Sequence, residues 1–388
     1  MSVNAARRSA CATKHLSLSL ARLLLLTIVL IAYASLYPWH FHAYDHQSSP
    51  LLVFFHAWPA RLNRAAAEDI AVNVLVYLPL GFFAFAAFAA IWRTWVAAIA
   101  ALVTGIALSF SVEMAQFFVV GRISSVLDVA SNALGAATGI AAGSIWRAHH
   151  HASKSPPRTD AMFVIACWVL YQMFPFFPHR GASRLISTSP AIDAILYFTT
   201  VLALVPVIDA LGGTTRRRRL TLTALVLLVP LKVFILMRNV TIVELVSTAA
   251  AFAIALLAPV RVRAAAVVLG IAVLVHGLAP FTFQDRGQPF SWLPFQASFG
   301  SDWAPALLVL LGKAFVYGSL LWLIRESGVR LAVAAAATAT LLAAVEVAQI
   351  YLPGRWPEIT DPVIALILAW VFWSLPPRQS EVARTLPR

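Results

Sequence analysis

Apolar residues run along this chain in long blocks separated by short polar breaks, and twelve of the blocks are of membrane-spanning size. A helix covers the hydrocarbon core of a bilayer with about 20 apolar residues, and with fewer where protein shields it. The blocks fall at about 20–37, 70–92, 95–120 and 125–146, then at 161–177, 191–211, 220–237 and 240–260. The last four are at about 262–280, 304–324, 329–351 and 360–375. The pattern predicts an all-α, polytopic integral membrane protein of about twelve transmembrane helices in three parallel four-helix units. An even number of crossings puts both ends of the chain on one side.

Composition agrees with this reading and removes the alternatives. Hydrophobic residues make up 61% of the 388, charged residues only 12%, and the mean hydropathy is +0.82. A soluble enzyme, a disordered chain and a DNA-binding domain are all excluded, because soluble domains are about half apolar and a quarter charged. The net charge of +13 therefore speaks of topology rather than of nucleic acid as a partner. Nineteen of the 29 basic residues lie in the tails and in alternate loops, including the run Arg216–Arg219, whereas twelve of the sixteen acidic residues lie on the other side. The positive-inside rule then places both termini in the cytoplasm, in a multi-pass protein of the cytoplasmic (inner) membrane. Arg216–Arg219 reads as a topology anchor, with lipid headgroups as its other possible partner. Cys11 and Cys167 give neither a disulfide framework nor a metal pattern. Ala32-Tyr33-Ala34 after an apolar run resembles a signal-peptide cleavage site, but its surroundings recur further along the chain, which argues against cleavage.

The recurrence is the most informative feature. Gln116, Arg122 and Asp128 are spaced six and six apart; so are Lys232, Arg238 and Glu244, and Gln349, Arg355 and Asp361. Upstream, Asn73 with Tyr77 matches Asp193 with Tyr197 and Lys313 with Tyr317. Each unit's first helix ends in an aromatic–proline exit: Tyr37-Pro38-Trp39, Phe174-Pro175-Phe176 and Pro280-Phe281. The expected organisation is a cytoplasmic basic tail at 1–19, repeat 1 at 20–147, a cytoplasmic linker at 148–160, a degenerate repeat 2 at 161–261, repeat 3 at 262–375 and a cytoplasmic tail at 376–388.

Within the first unit, Glu113 and Gln116 share a helix face, Arg122 follows in a turn beside Gly121, and Asp128 opens the next helix, where the dipole favours a carboxylate. Asp128, Asn132, Gly135 and Gly139 then line one stripe, and Gly135, Gly139 and Gly143 form a small-residue seam for a close helix neighbour. Asn73, Tyr77, Glu113, Gln116, Arg122, Asp128 and Asn132 are expected to converge at the extracytoplasmic end of one bundle. The run Asn73-Val-Leu-Val-Tyr-Leu-Pro-Leu-Gly81, then Glu113-x-x-Gln116, Gly121-Arg122 and Asp128-x-x-x-Asn132-x-x-Gly135, resembles the VanZ-like membrane protein family over about 30–145. A second stretch, about 270–375, is similar through Gln288-Pro-Phe-x-Trp-Leu-Pro-Phe295, Glu346-x-x-Gln349, Pro353-Gly-Arg355 and Asp361. The middle unit departs, with Val229, Lys232, Glu244 and Thr248 at the motif positions, and is expected to be a structural copy packed between the other two. In the third, Ala365 and Leu368 interrupt the polar stripe.

The resemblance implies a cell-envelope protein linked to resistance against the glycopeptide teicoplanin, and attaches no reaction to the motif. Three roles fit the residues. Arg122 and Asp128 pair and fix a turn; or Arg122, with Glu346, Gln349, Arg355 and Asp361 in the third unit, presents a site to an anionic headgroup of a membrane lipid or lipid-linked cell-wall precursor or glycan; or Glu113 and Asp128 act as acid and base on such a headgroup. Whether there is any catalysis stays open, and the residues lean against it. A transporter or a structural scaffold is the further alternative. His40, His42 and His46 alternate with aromatics in a loop but bring no carboxylate, so no metal is expected. His149–His151 reads as a solvated tract. No cofactor is implied, and oligomeric state is not legible.

Overall fold

The computed structural model describes residues 3–43, 49–56, 64–122, 124–151, 158–174, 190–235, 238–299 and 303–375. His46, Pro175, Phe176, residues 152–157 of the linker expected at 148–160 and the tail at 376–388 lie outside these residues, as do the side chains of Arg7, Arg8, Cys11, Lys14 and His149–His151. Among the described residues there are fourteen α-helices and no β-strand. They divide into two compact units. The first holds α1 (Val3–Ser35), α2 (Pro50–His56), α3 (Arg64–Phe88), α4 (Thr94–Gln116) and α5 (Val126–His151). The second holds α6 (Thr159–Met173), α7 (Pro190–Ala210), α8 (Thr215–Leu231), α9 (Ile242–Leu257), α10 (Val262–Leu278), α11 (Gln296–Phe299), α12 (Trp303–Glu326), α13 (Leu331–Gln349) and α14 (Thr360–Ser374).

Each of the twelve apolar blocks holds a helix, and among the described residues seven helices are long and apolar enough to cross a membrane: α1, α3, α4, α5, α7, α12 and α13. Four more, α6, α9, α10 and α14, are apolar but shorter. The chain is an all-α polytopic membrane protein. Its surfaces are sorted accordingly. On α4 the outward stripe is Ile99, Val103, Ile106 and Phe110, all large and exposed, whereas the inward stripe is Ala97, Ala101, Gly105, Ser109, Glu113 and Gln116. Large apolar groups facing out and small or polar ones facing in is the arrangement a hydrocarbon solvent favours.

In the first unit α3 packs along α5, with α1 and α4 alongside. The seam expected from Gly135 and Gly139 forms here. A Cβ at Gly135 would strike the backbone of Val74, and one at Gly139 the carbonyl of Leu78; from the other side, a Cβ at Gly81 would strike Ala136. The two helices therefore meet backbone to backbone, and α3 runs through Pro79 without interruption.

In the second unit α7 packs on α9 and α10, and α6 on α12. Helices from 161–261 and from 262–375 thus interleave. Gly312 of α12 gives Tyr171 of α6 its place, since a Cβ there would fall 2.9 Å from the ring. Residues from the last turns of α6, α10 and α13 and from the first turns of α9 and α14 line one common space.

Helix ends differ from the apolar blocks where specific caps intervene. α4 stops at Gln116, and the chain turns through Gly121 at φ 79°, a left-handed conformation that glycine adopts at little cost. α8 begins at Thr215, so Arg216–Arg219 form its first turns instead of the loop before it. The cause is Thr214, whose hydroxyl accepts from the Arg217 N–H.

Candidate functional site

Two polar clusters are built by the same local chemistry. A helix end leaves its last carbonyls without partners, and inside a membrane those groups are costly. In the first unit Arg122 supplies them: its Nε donates to the Tyr37 carbonyl at 3.0 Å and one Nη to Ala34 at 3.5 Å. Gln116 donates to the Ser35 carbonyl at 2.9 Å. In the second unit Arg355 donates to Ala279 at 2.9 Å and His276 at 2.8 Å, and Gln349 to Gly277 at 2.9 Å. Both helix exits carry a cis peptide bond before the proline, Tyr37-Pro38 and Ala279-Pro280.

The carboxylates also serve the scaffold. Glu113 accepts from the Ser125 N–H and Glu346 from the Glu358 N–H, each at 2.9 Å. Asp128 accepts from Asn73 at 2.8 Å, and Asn132 donates to Ser109 at 2.8 Å. Of the roles open from sequence, the Arg122–Asp128 pair does not form: the arginine is occupied by carbonyls of α1 and the exit after it, while the aspartate is held by α3. Tyr77 is buried beside this network, with its hydroxyl near Ser109. Thus Asn73 joins Asp128, Asn132 joins Ser109, and Gln116 and Arg122 both turn to the end of α1. His40 and His42 belong to backbone pairing instead: Val120 N–H donates to His40 and His42 N–H to Phe118, at 3.0 and 2.8 Å.

The second unit holds a partly open cavity of about 530 Å³. That volume lies within the range of small-ligand sites. Four residues expected from sequence, Glu346, Gln349, Arg355 and Asp361, line it together. Asp361 is gripped by Lys313, and by Tyr317, whose hydroxyl donates at 2.5 Å. The middle stretch of sequence lines the other side with Tyr171, Gln172, Arg238 and Glu244, so it is more than a spacer. Lys232 and Glu244 form a buried ion pair behind this wall. Apolar groups complete the lining, among them Trp168, Val273, Val309, Phe315 and Leu342.

Arg238 is the residue whose surroundings the sequence hides. It is 8% exposed, its guanidinium carbon lies 5.1 Å from the centre of the Tyr171 ring, and its Nε has no hydrogen-bond partner. The six-and-six spacing does point to Arg238. The changes flanking it read as decay, although Lys232 in place of a glutamine brings the cation that pairs with Glu244.

No curated protein and no solved structure matches the chain. The VanZ/LLP1 family model matches residues 20–147, and the segment from α1 to α5 that ties Asn73 to Asp128 and Arg122 to the end of α1 is accordingly VanZ-like.

Proposed function

We propose that this protein recognises an anionic headgroup, carried by a membrane lipid or a lipid-linked glycan, at the extracytoplasmic face of the cytoplasmic membrane. The observation that carries the reading is the cavity of the second unit, where the buried cation Arg238 stands among apolar groups beside Arg355, Gln349, Glu346 and Asp361. A guanidinium suits phosphate because it offers several donors in one plane. Apolar lining beside it suits a ligand with a hydrocarbon portion. By family resemblance, the biological setting is the cell envelope and its response to glycopeptides such as teicoplanin.

Acid–base chemistry at Glu113 and Asp128 draws no support from the geometry, because both carboxylates are engaged by the scaffold. The test is native mass spectrometry of the detergent-purified protein. Retention of phosphate-bearing lipids above neutral lipids is the expected result. Equal retention of neutral diacylglycerol and phospholipid overturns the reading.

A further inference from the structure

We infer that Arg238 and Gln172 are the ligand-binding residues of this cavity, and that they take a phosphodiester headgroup whose alcohol side bears a hydrogen-bond donor. The inference rests on the proposed headgroup recognition and names its residues and ligand class.

The argument starts from the difference between three arginines at corresponding spacings. Arg122 and Arg355 spend their donors on the carbonyls that end α1 and α10. Arg238 has no such bonds, and among the described residues no carboxylate forms an ion pair with it. Its neighbourhood explains the release. Six residues before Arg122 and Arg355 stand Gln116 and Gln349, each capping a carbonyl, whereas six before Arg238 stands Lys232, which is consumed by Glu244. The Lys232–Glu244 pair is electrically closed, as is Lys313–Asp361. Arg238 is left as a buried cation in the cavity wall, with the Tyr171 side chain beside its guanidinium and an Nε–H that finds no partner among the described residues. A buried donor on a charged group is costly unless something satisfies it, and the cavity is the space from which a partner can come.

Gln172 is the second such group. It is 1% exposed, lines the same cavity, and its Oε1 has no hydrogen-bond partner. An amide oxygen accepts, so it calls for an N–H or O–H on the ligand. The two groups together describe one ligand: an anionic acceptor for Arg238 and, on the same molecule, a donor for Gln172. A singly charged phosphodiester with a hydroxyl or amine beyond the ester oxygen meets both demands, and the apolar lining takes up the start of its hydrocarbon chain.

The probes are phosphatidylglycerol, which has the phosphodiester and the hydroxyls, and phosphatidylmethanol, which has the same charge and no donor. Binding of each is measured by native mass spectrometry and by competition in nanodiscs of neutral lipid, with diacylglycerol as the uncharged reference. Wild type is expected to favour phosphatidylglycerol about fivefold over phosphatidylmethanol, the worth of one hydrogen bond. Arg238→Gln is expected to weaken both about tenfold or more, as loss of a charge-assisted contact does. Gln172→Leu is expected to leave phosphatidylmethanol unchanged and erase the preference. Free glycerol phosphate at millimolar concentration is expected not to displace phosphatidylglycerol; displacement would overturn the apolar part of the assignment.

Wild type that holds phosphodiester lipids no better than diacylglycerol refutes the headgroup reading itself. Wild type that holds them while folded Arg238→Gln does so equally well refutes the assignment of Arg238 alone. Should Arg238→Gln not fold, Arg238→Lys decides: it keeps the charge without the planar fork, and unchanged binding there overturns the assignment. Absence of any preference for phosphatidylglycerol in wild type refutes the role of Gln172.

Discussion

Lys232 and Glu244 pair across twelve residues of sequence with side chains only 4% and 3% exposed. Breaking a buried pair from one side strands a charge and costs about 3–5 kcal/mol, whereas neutralising both partners costs far less. Lys232→Ala is therefore expected to lower stability by about that amount, and Lys232→Gln/Glu244→Gln to recover most of the loss. A denaturation series in mixed micelles reads the difference; a double variant as unstable as the single one contradicts the prediction.

The arginine and glutamine caps give a second expectation. Gln349→Ala exposes the Gly277 carbonyl and Gln116→Ala the Ser35 carbonyl, at a cost of about 1–2 kcal/mol each. Arg355→Lys keeps the charge but cannot hold the Ala279 and His276 carbonyls in one plane. All three variants should melt at lower temperature in detergent, and unchanged melting would show that these carbonyls need no cap.

The glycine seam separates two substitutions that look alike on paper. At Gly139 an added Cβ runs into the Leu78 carbonyl, while at Gly270 it meets only a Leu320 methyl at 3.8 Å. Gly139→Ala should destabilise the first unit by about 1–3 kcal/mol through overpacking. Gly270→Ala should be neutral or stabilising, because it removes unfolded-chain entropy without a clash. Equal melting temperatures for the two would refute the backbone contact.

Topology follows from the charge bias and is tested with single cysteines in a Cys11→Ser/Cys167→Ser background. Thr215 and Asp285 are both exposed. With the arginine-rich turns of α8 in the cytoplasm, an impermeant maleimide should label Asp285→Cys in intact cells and leave Thr215→Cys untouched until the cells are opened. The reverse pattern would invert the protein.

The helices were legible because a membrane imposes one requirement on every span, and the apolar blocks record it. The α3–α5 seam was legible for the same kind of reason: Gly135 and Gly139 fall on one stripe, and only close approach gives such a stripe a use. The partners of Arg122 and Asp128 were not legible. Proximity in sequence suggested the pair, while the groups that claim these side chains, the Tyr37 carbonyl and Asn73, lie 85 and 55 residues away. Arg238 was hidden for the opposite reason. Its importance comes from bonds it does not make, and no motif records an absent bond.

The long reach of the two caps has a consequence for biogenesis. Arg122 must join a carbonyl made 85 residues earlier, and Arg355 one made 79 residues earlier. At roughly 5–20 residues per second of synthesis, the ends of α1 and α10 stand uncapped for several seconds while the intervening spans emerge. During that interval their carbonyls depend on water or on the insertion machinery. The ends of α1 and α10 are thus closed long after they are made, so that a chain stalled before Arg122 or Arg355 is marked as unfinished by its own open helix end.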